Sequence, residues 1–153
     1  VSCKKFKRSK RLLSRKIRFY LSKEQRYAYA ICLKENNLPI DYVNIDLDDS
    51  HDLSYGLKKN IAQGIVSEAV EAVIQQAKKD NLCYLTATHD IKNIHSGNVM
   101  KKVDMHYCYS YKEQWMPKNR PVIFRMYQIN LDGKKRIIKI LEFNMNILLK
   151  KTL

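Results

Sequence analysis

The stretch from Asp52 to Met105 constrains the fold most, because strand and helix patterns alternate along it in one order. The order is strand, loop, helix, strand and polar helix start, at residues 53–57, 58–64, 65–79, 82–88 and 93–96. Free backbone N–H groups at the start of a helix attract anions, so the loop before Ile65 is a candidate anion site. The polar start at 93–96 is expected at the same end of the sheet. This arrangement suits a ligand that is phosphorylated at one end and reactive at the other.

Flanking segments add antiparallel strands on both sides of this stretch. A hairpin is predicted from strands at 27–33 and 40–47, and further strands are predicted at 105–111 and 122–131. The central helix has an apolar face formed by Ile65, Val66, Ala69, Val70, Val73, Ile74 and Ala77. The resulting β-β-β-α-β-α-β-β order predicts an α+β fold with helices at the middle of the chain.

The positive charge is concentrated at the two ends of the chain. Lys and Arg number 29 against 15 Asp and Glu, and residues 1–18 carry nine of the bases and no acid. Residues 132–153 carry six bases and two acids, so the middle is nearly neutral. A nucleic-acid-binding domain would place a basic face within the fold, so nucleic acid is not the partner we expect. Residues 4–18 have apolar spacing that favours a basic helix.

Length and composition indicate a single domain over 1–153 with a sizeable core. No apolar run reaches the length of a membrane span, and the basic start lacks the apolar stretch of a secretory signal, so we expect a cytoplasmic protein without a membrane partner. The four cysteines form no closely spaced pair, and the four histidines fall on different elements. We therefore expect no metal site.

Four segments together resemble the GNAT N-acetyltransferases, in particular their ribosomal-protein alanine acetyltransferase-like branch. The segments are 30–36, 62–69, 93–102 and 124–128, and the recognisable part spans about 27–133. The resemblance implies a mixed, mostly antiparallel central sheet flanked by helices. The family's N-terminal strand and helices are not recognisable in residues 1–26, so these elements are expected to be incomplete. The tail over 134–153 is divergent.

The resemblance also implies the activity, which is transfer of an acetyl group from acetyl-CoA to a primary amine by direct attack. Asn93 and Ser96 match the family's Asn-x-x-Ser and would act near the thioester, Ser96 on the CoA sulfur and Asn93 on a pantetheine amide or a water. The pantetheine arm would lie between the strands at 53–57 and 82–88. The predicted CoA-binding residues are Leu57, Ile61, Ala62, Gln63, Gly64, Ile65, Asn93 and Ser96.

Several roles stay open in the sequence. Both Asn93 and Ser96 also suit a helix N-cap. The general base is unassigned, with Asp52, Glu68 and His89 as candidates, and Trp115 is either a core residue or a wall of the acceptor site. Tyr107, Tyr109 and Tyr111 are expected on one face of their strand, in packing roles. Asp104 stands where the family often has Gly, so a positive φ there would be strained.

Two other functions fit the same residues. One is a degenerate GNAT fold without catalysis, and the other is a nucleic-acid or ribosome-associated binder that uses the basic ends. The acceptor amine is a small molecule or a protein N-terminus. A missing first strand would leave an exposed sheet edge, which favours a homodimer.

Overall fold

Strands and helices in the computed structural model follow the predicted order, preceded by one additional short strand. The structure describes residues 4–5, 26–32, 36–56, 63–116 and 119–139. The strands are β1 (Lys4–Lys5), β2 (Arg26–Cys32), β3 (Pro39–Asp46), β4 (Leu53–Tyr55), β5 (Tyr84–Asp90), β6 (His106–Trp115) and β7 (Arg120–Asn130). The helices are α1 (Gln63–Lys79), between β4 and β5, and α2 (Ile94–Lys102), between β5 and β6.

The strands form two antiparallel sheets with the orders β1-β2-β3-β4 and β5-β7-β6. One isolated parallel bridge, between Asp52 and Thr86, joins β4 of the first sheet to β5 of the second. This arrangement confirms the predicted α+β class with mostly antiparallel strands. The bridge also marks the place where the two sheets begin to diverge.

The core lies between the strands and the predicted apolar face of α1. Six of the seven residues of that face are buried, namely Val66, Ala69, Val70, Val73, Ile74 and Ala77, and Ile65 packs at its edge. Ile31, Val43 and Leu85 meet this face from the strands. Burial of this stripe, at about 25 cal/mol per Å² of apolar surface, is what holds α1 on the sheets.

Both helices end in a turn that requires a residue with positive φ. Asn81 (φ 61°) follows α1, where the Leu82 N–H donates to the Ala77 carbonyl at 3.0 Å. Asp104 (φ 60°) follows α2 in the same way. Glycine is favoured at this position of a Schellman turn, so Asp104 carries the strain expected from the sequence.

Element boundaries differ from the prediction where turns intervene. β5 begins two residues later than predicted because Leu82 still belongs to the turn that ends α1. β4 comprises Leu53–Tyr55, and residue 57 lies outside the described residues. The basic helix predicted from residue 4 is wrong at Lys4–Lys5, which pair with β2 as a strand, and its remainder also lies outside the described residues.

The expectation that three tyrosines of β6 share a face is wrong. A register shift between Tyr107 and Tyr109 places Tyr107 opposite Tyr127, whereas Tyr111 lies opposite Phe124. Because side chains alternate along a strand, one extra residue at this bulge moves Tyr107 to the other face. Tyr107 forms an edge contact with Tyr127, and Tyr111 stacks on Phe124.

Candidate functional site

β4 and β5 separate immediately after the bridge between Asp52 and Thr86. The Thr86 N–H donates to the His51 carbonyl at 3.1 Å, which fixes the closed end of the gap. Beyond this point no described residue links the two strands by a main-chain bond. The gap between the two sheets is therefore wedge-shaped, and its two sides are the edges of β4 and β5.

The direction of the main-chain groups on both edges follows from strand alternation. The Gly56 N–H donates to the Tyr42 carbonyl, so the main-chain groups of the even-numbered residues of β4 bond to β3. The main-chain N–H and C=O of Tyr55 therefore face the gap. The Thr86 N–H likewise points toward β4. The main-chain groups of Thr88, two residues further along β5, therefore face the gap as well. Each edge therefore presents a donor and an acceptor of the peptide backbone to the gap.

An open cleft of about 390 Å³ occupies this gap. It is lined by Asp52, Leu53, Ser54, Tyr55, Thr88, His89, Asp90, Asn93, Ser96, Met100, Trp115, Arg120 and Phe124. The lining combines strand residues of both sheets with the first turn of α2. Sequence-distant polar groups therefore converge on one volume, as in a ligand-binding site.

Tyr55 and Ser96 are hydrogen-bonded to each other across the cleft lining. The Tyr55 hydroxyl donates to the Ser96 carbonyl at 2.9 Å and lies 3.1 Å from Ser96 Oγ. Since a carbonyl only accepts and the phenol has a single proton, the Ser96 hydroxyl donates to Tyr55 Oη in this arrangement. Burial raises the pKa of the Tyr55 phenol to about 12, so it stays protonated.

Asn93 caps helix α2. Its side-chain oxygen accepts from the Ser96 N–H at 3.3 Å, and its own N–H donates to the Asp90 carbonyl at 2.7 Å. The cap satisfies one of the free N–H groups of the first turn and fixes Ser96 beside Tyr55. The capping role considered from the sequence is thus present, and Asn93 also lines the cleft.

His89 packs its ring against the start of the same helix. Its Nδ1 lies 2.8 Å from the Asp90 carbonyl, so Nδ1 carries the proton and Nε2 is left as an acceptor. Nε2 is buried without a hydrogen-bond partner among the described residues. A Cβ built on Gly97 would lie 2.8 Å from both Nε2 and Cε1, so only glycine accommodates the ring there.

Among the three candidates for the general base, Asp52 lies in a buried and acidic environment. Burial, reinforced by the negative charges of Asp46 and Asp48, raises the pKa of Asp52 to about 7. Asp52 lines the cleft, whereas Glu68 is exposed on α1 and is absent from the lining. His89 lines the cleft as well, but its acceptor nitrogen is directed at the backbone of α2.

The end of the β6–β7 hairpin forms the far wall of the cleft. Trp115 and Arg120 are register partners, and the Arg120 guanidinium carbon lies 5.4 Å from the Trp115 ring centre. Arg120 also approaches Asp90, with 3.6 Å between Nη2 and Oδ2. Trp115 is 38% exposed and lines the cleft, so it is not a core residue.

The structure brings Asn93 and Ser96 together and leaves part of the predicted phosphate loop undescribed. Leu57, Ile61 and Ala62 lie outside the described residues. Residues 63–65 form the start of α1, whose first turn contains no acidic residue. A Cβ on Gly64 would meet nothing within 4 Å, so the helix start is open on that side.

Sequence reasoning missed Tyr55 as a site residue. Its partner Ser96 is 41 residues away, so no local pattern links the two. The available signal was alternation, because Tyr55 follows the buried Leu53 on the same strand face and thus places a hydroxyl at the core's edge.

None of the helices in the described part of the chain has the length and the apolar character needed to cross a membrane.

Comparison with known proteins gives a family match and a set of related folds. A family model described as an acetyltransferase (GNAT) domain matches residues 5–106. No curated protein matches the sequence. Among solved structures, a GNAT-family acetyltransferase from Bacillus anthracis is 20% identical, with a TM-score of 0.61 over 69% of this chain and 67% of that one.

Two further structures have more specific names. A ribosomal-protein-S5-alanine acetyltransferase from Vibrio fischeri is 16% identical, with a TM-score of 0.64 over 79% of this chain and 70% of that one. The microcin C7 self-immunity acetyltransferase MccE, solved in complex with acetyl-CoA and AMP, is 14% identical, with a TM-score of 0.64 over 73% of this chain and 64% of that one. At these identities the likeness concerns the fold.

Proposed function

The chain belongs to the GNAT acetyltransferase family and is an N-acetyltransferase that uses acetyl-CoA, and we propose that the cleft between β4 and β5 is where the acetyl group passes to a primary amine. The observation that supports this proposal is the gap between the edges of β4 and β5. It exposes main-chain groups of Tyr55 and Thr88 next to the side chains of Ser96 and Asp52.

The pantetheine arm of the cosubstrate suits the two strand edges. It is a narrow chain with two amide groups, each of which needs a donor and an acceptor when it leaves water. Among the described residues, the gap-facing N–H and C=O groups of Tyr55 and Thr88 have no main-chain partner, so they can supply both kinds of partner. An extended chain bonded in this way would fill the gap as an added strand does.

The diphosphate of the cosubstrate is assigned to the start of α1. The first-turn amides of Gln63, Gly64 and Ile65 have no partner within the helix, and no acidic side chain opposes an anion there. Leu57, Ile61 and Ala62 complete the proposed binding set as the preceding loop. Gly64 leaves the approach to these amides clear of a side chain.

The reaction we propose is direct attack by the neutral amine on the thioester carbonyl. A C–N bond forms, the C–S bond breaks, the amine loses one proton and the CoA sulfur gains one. The Tyr55 N–H, which faces the gap, is placed to donate to the oxyanion that develops on the carbonyl oxygen. The Leu57 N–H, which lies outside the described residues, is the second donor that we propose.

Ser96 and Tyr55 are assigned to the leaving sulfur. Ser96 Oγ can turn its proton from Tyr55 Oη to the sulfur as negative charge develops there. The Tyr55 hydroxyl then donates to Ser96 Oγ instead of the Ser96 carbonyl, which lies within reach of the same proton. Because its pKa is about 12, Tyr55 keeps its proton and acts by positioning Ser96.

Asp52 is our choice for the residue that takes the proton from the amine. A general base works best when its pKa is near the operating pH, and burial raises the pKa of Asp52 to about 7. It accepts the proton directly or through one water molecule. Asn93 holds the first turn of α2 and offers its side-chain amide to the pantetheine arm or to a water.

The proposal also covers the class of the acceptor, the cellular compartment and the oligomeric state. An S5-alanine enzyme and a microcin self-immunity enzyme both share this fold, so a protein N-terminus and a small molecule both remain acceptors to test. We place the reaction in the cytoplasm, where acetyl-CoA is supplied. A homodimer was expected from an exposed sheet edge, but β1 pairs with part of β2 and covers part of that edge. Sedimentation of the full chain would determine the oligomeric state.

The proposal is tested by incubating the full chain with acetyl-CoA and a panel of amines while measuring release of the CoA thiol. We expect amine-dependent release, lowered by about 10- to 100-fold in Ser96→Ala, the range for loss of one charge-assisted hydrogen bond. Ser110→Ala is the matched control, because Ser110 bonds the Tyr107 hydroxyl outside the cleft. Acetyl-CoA binding without release for any amine would support the non-catalytic alternative instead.

A further inference from the structure

The hairpin end of the cleft, formed by Asp90, Trp115 and Arg120, is not used by the chemistry above. Arg120 is the sole Lys or Arg among the described residues that line the cleft. Its side chain is 46% exposed and stands over the Trp115 ring. Among the described residues, the positive charge of the cleft lining therefore lies at the hairpin end.

The Arg120 guanidinium makes no hydrogen bond to any of the described residues. Its approach to Asp90 at 3.6 Å is longer than a hydrogen bond, so it is an ion pair without a bonded N–H. Asp90 does not depend on Arg120, because Asp90 Oδ1 accepts from the Lys92 N–H at 2.9 Å. The contact with Trp115 is a cation–π contact, which uses the charge of the guanidinium and none of its N–H groups.

An anionic ligand fits this cluster better than a cationic one. A cation could reach Asp90 and Trp115 only after the guanidinium had been displaced from both. An anion can bind the N–H groups that the long contact with Asp90 leaves unbonded, and the cation–π contact with Trp115 stays in place. The fork of N–H groups on an arginine matches the two oxygens of a carboxylate.

On the basis of the proposed function, we propose that Arg120 is the specificity-determining residue for an acceptor that carries a carboxylate as well as its reacting amine. The acceptor amine enters the cleft toward Ser96 and Tyr55, and the carboxylate lies at the hairpin end against Arg120. The acceptor class is therefore an amino carboxylic acid, free or as part of a larger molecule, and polyamines are disfavoured.

The test compares linear amino carboxylic acids of increasing length with their own primary amides as acceptors. The quantity measured is the ratio of kcat/KM for acid over amide, in the wild-type chain and in Arg120→Gln. Dividing one ratio by the other cancels differences in amine basicity between acid and amide. We expect a coupling of about 10- to 100-fold for at least one chain length, the range for a charge-assisted hydrogen bond.

Two variants serve as controls for charge and geometry. Lys112→Gln removes an exposed positive charge from β6 outside the cleft lining, so its coupling should stay within about twofold of unity. Arg120→Lys keeps the charge but loses the fork, so it should retain only part of the preference. The KM for acetyl-CoA should be unchanged in all three variants.

A binding measurement keeps the inference testable without turnover. Trp115 is the single tryptophan of the chain, so its fluorescence reports directly on this cluster. Titration with the amino carboxylic acids should change the emission saturably in the wild type and not in Arg120→Gln, while the amides should have little effect.

The outcomes separate the two proposals. Coupling near unity, a preference for the amides, or an equal fluorescence response in Arg120→Gln would overturn the carboxylate subsite while leaving acetyl transfer in place. Absence of thiol release with every acceptor would count against the proposed function, and the Trp115 titration would still decide the subsite.

Discussion

Replacing Asp52 by Asn should change how the stability of the protein depends on pH. Asp52 is packed at the closed end of the cleft, where burial and the charges of Asp46 and Asp48 disfavour its ionised form. The amide of Asn has nearly the same shape and does not ionise. The substitution therefore removes one titration and leaves the packing close to that of the wild type.

The magnitude follows from the two pKa values of Asp52. The pKa is about 7 in the folded chain, against 3.8 for an unperturbed aspartate, so the folded state holds this proton more tightly. The free energy of unfolding therefore falls as the pH rises from the lower value through the upper one, and it is constant above. From about pH 5 to about pH 8 we expect the wild type to lose roughly 2–3 kcal/mol relative to Asp52→Asn, since each pKa unit corresponds to about 1.4 kcal/mol.

Urea unfolding followed by Trp115 fluorescence at a series of pH values measures this difference. Asp49→Asn is the control, because Asp49 is an exposed carboxylate of the same loop. The control should follow the wild type at every pH. If Asp52→Asn also runs parallel to the wild type, Asp52 ionises normally in the folded chain, and the argument for it as general base is lost.

Three further substitutions test the supports of the site. Gly97→Ala should cost about 1–3 kcal/mol, because its Cβ would lie 2.8 Å from the His89 ring. A double-mutant cycle in urea with His89→Ala should show that the two costs do not add. Asn93→Ala should cost about 0.5–2 kcal/mol through loss of the α2 cap, with a larger fractional effect on thiol release than on stability if the side chain also contacts the cosubstrate. Asp104→Gly should raise the free energy of unfolding by up to about 1 kcal/mol, since φ is 60° there, and an unchanged urea midpoint would contradict the strain.

The elements that the sequence predicted well are those whose pattern is local. The apolar face of α1 repeats at helical spacing over four turns, and nearly all of it is buried as expected. The end of α2 was also marked, by Asp104, which stands where the family that the sequence resembles often has a glycine. Asn93 and Ser96 were predicted because both residue types suit a helix N-cap and match the Asn-x-x-Ser of the family that the sequence resembles, and both line the cleft.

The parts that were missed depend on contacts between distant segments. The bond between Tyr55 and Ser96 joins β4 to α2, and nothing near Tyr55 in the chain indicates it. The bulge beside Cys108 reverses the face of Tyr107, and only the pairing with β7 determines where it occurs. The approach of Arg120 to Asp90 likewise requires the hairpin to fold back toward the end of β5.

Residue-resolved amide hydrogen exchange, with and without acetyl-CoA, tests most directly whether the gap between β4 and β5 receives the cosubstrate. The Tyr55 and Thr88 amides face the gap and have no main-chain partner among the described residues, so their exchange should slow markedly when acetyl-CoA is added. The Gly56 amide, already bonded to Tyr42, should change little. Saturating acetyl-CoA that leaves Tyr55 and Thr88 unprotected would contradict the assignment of the cleft.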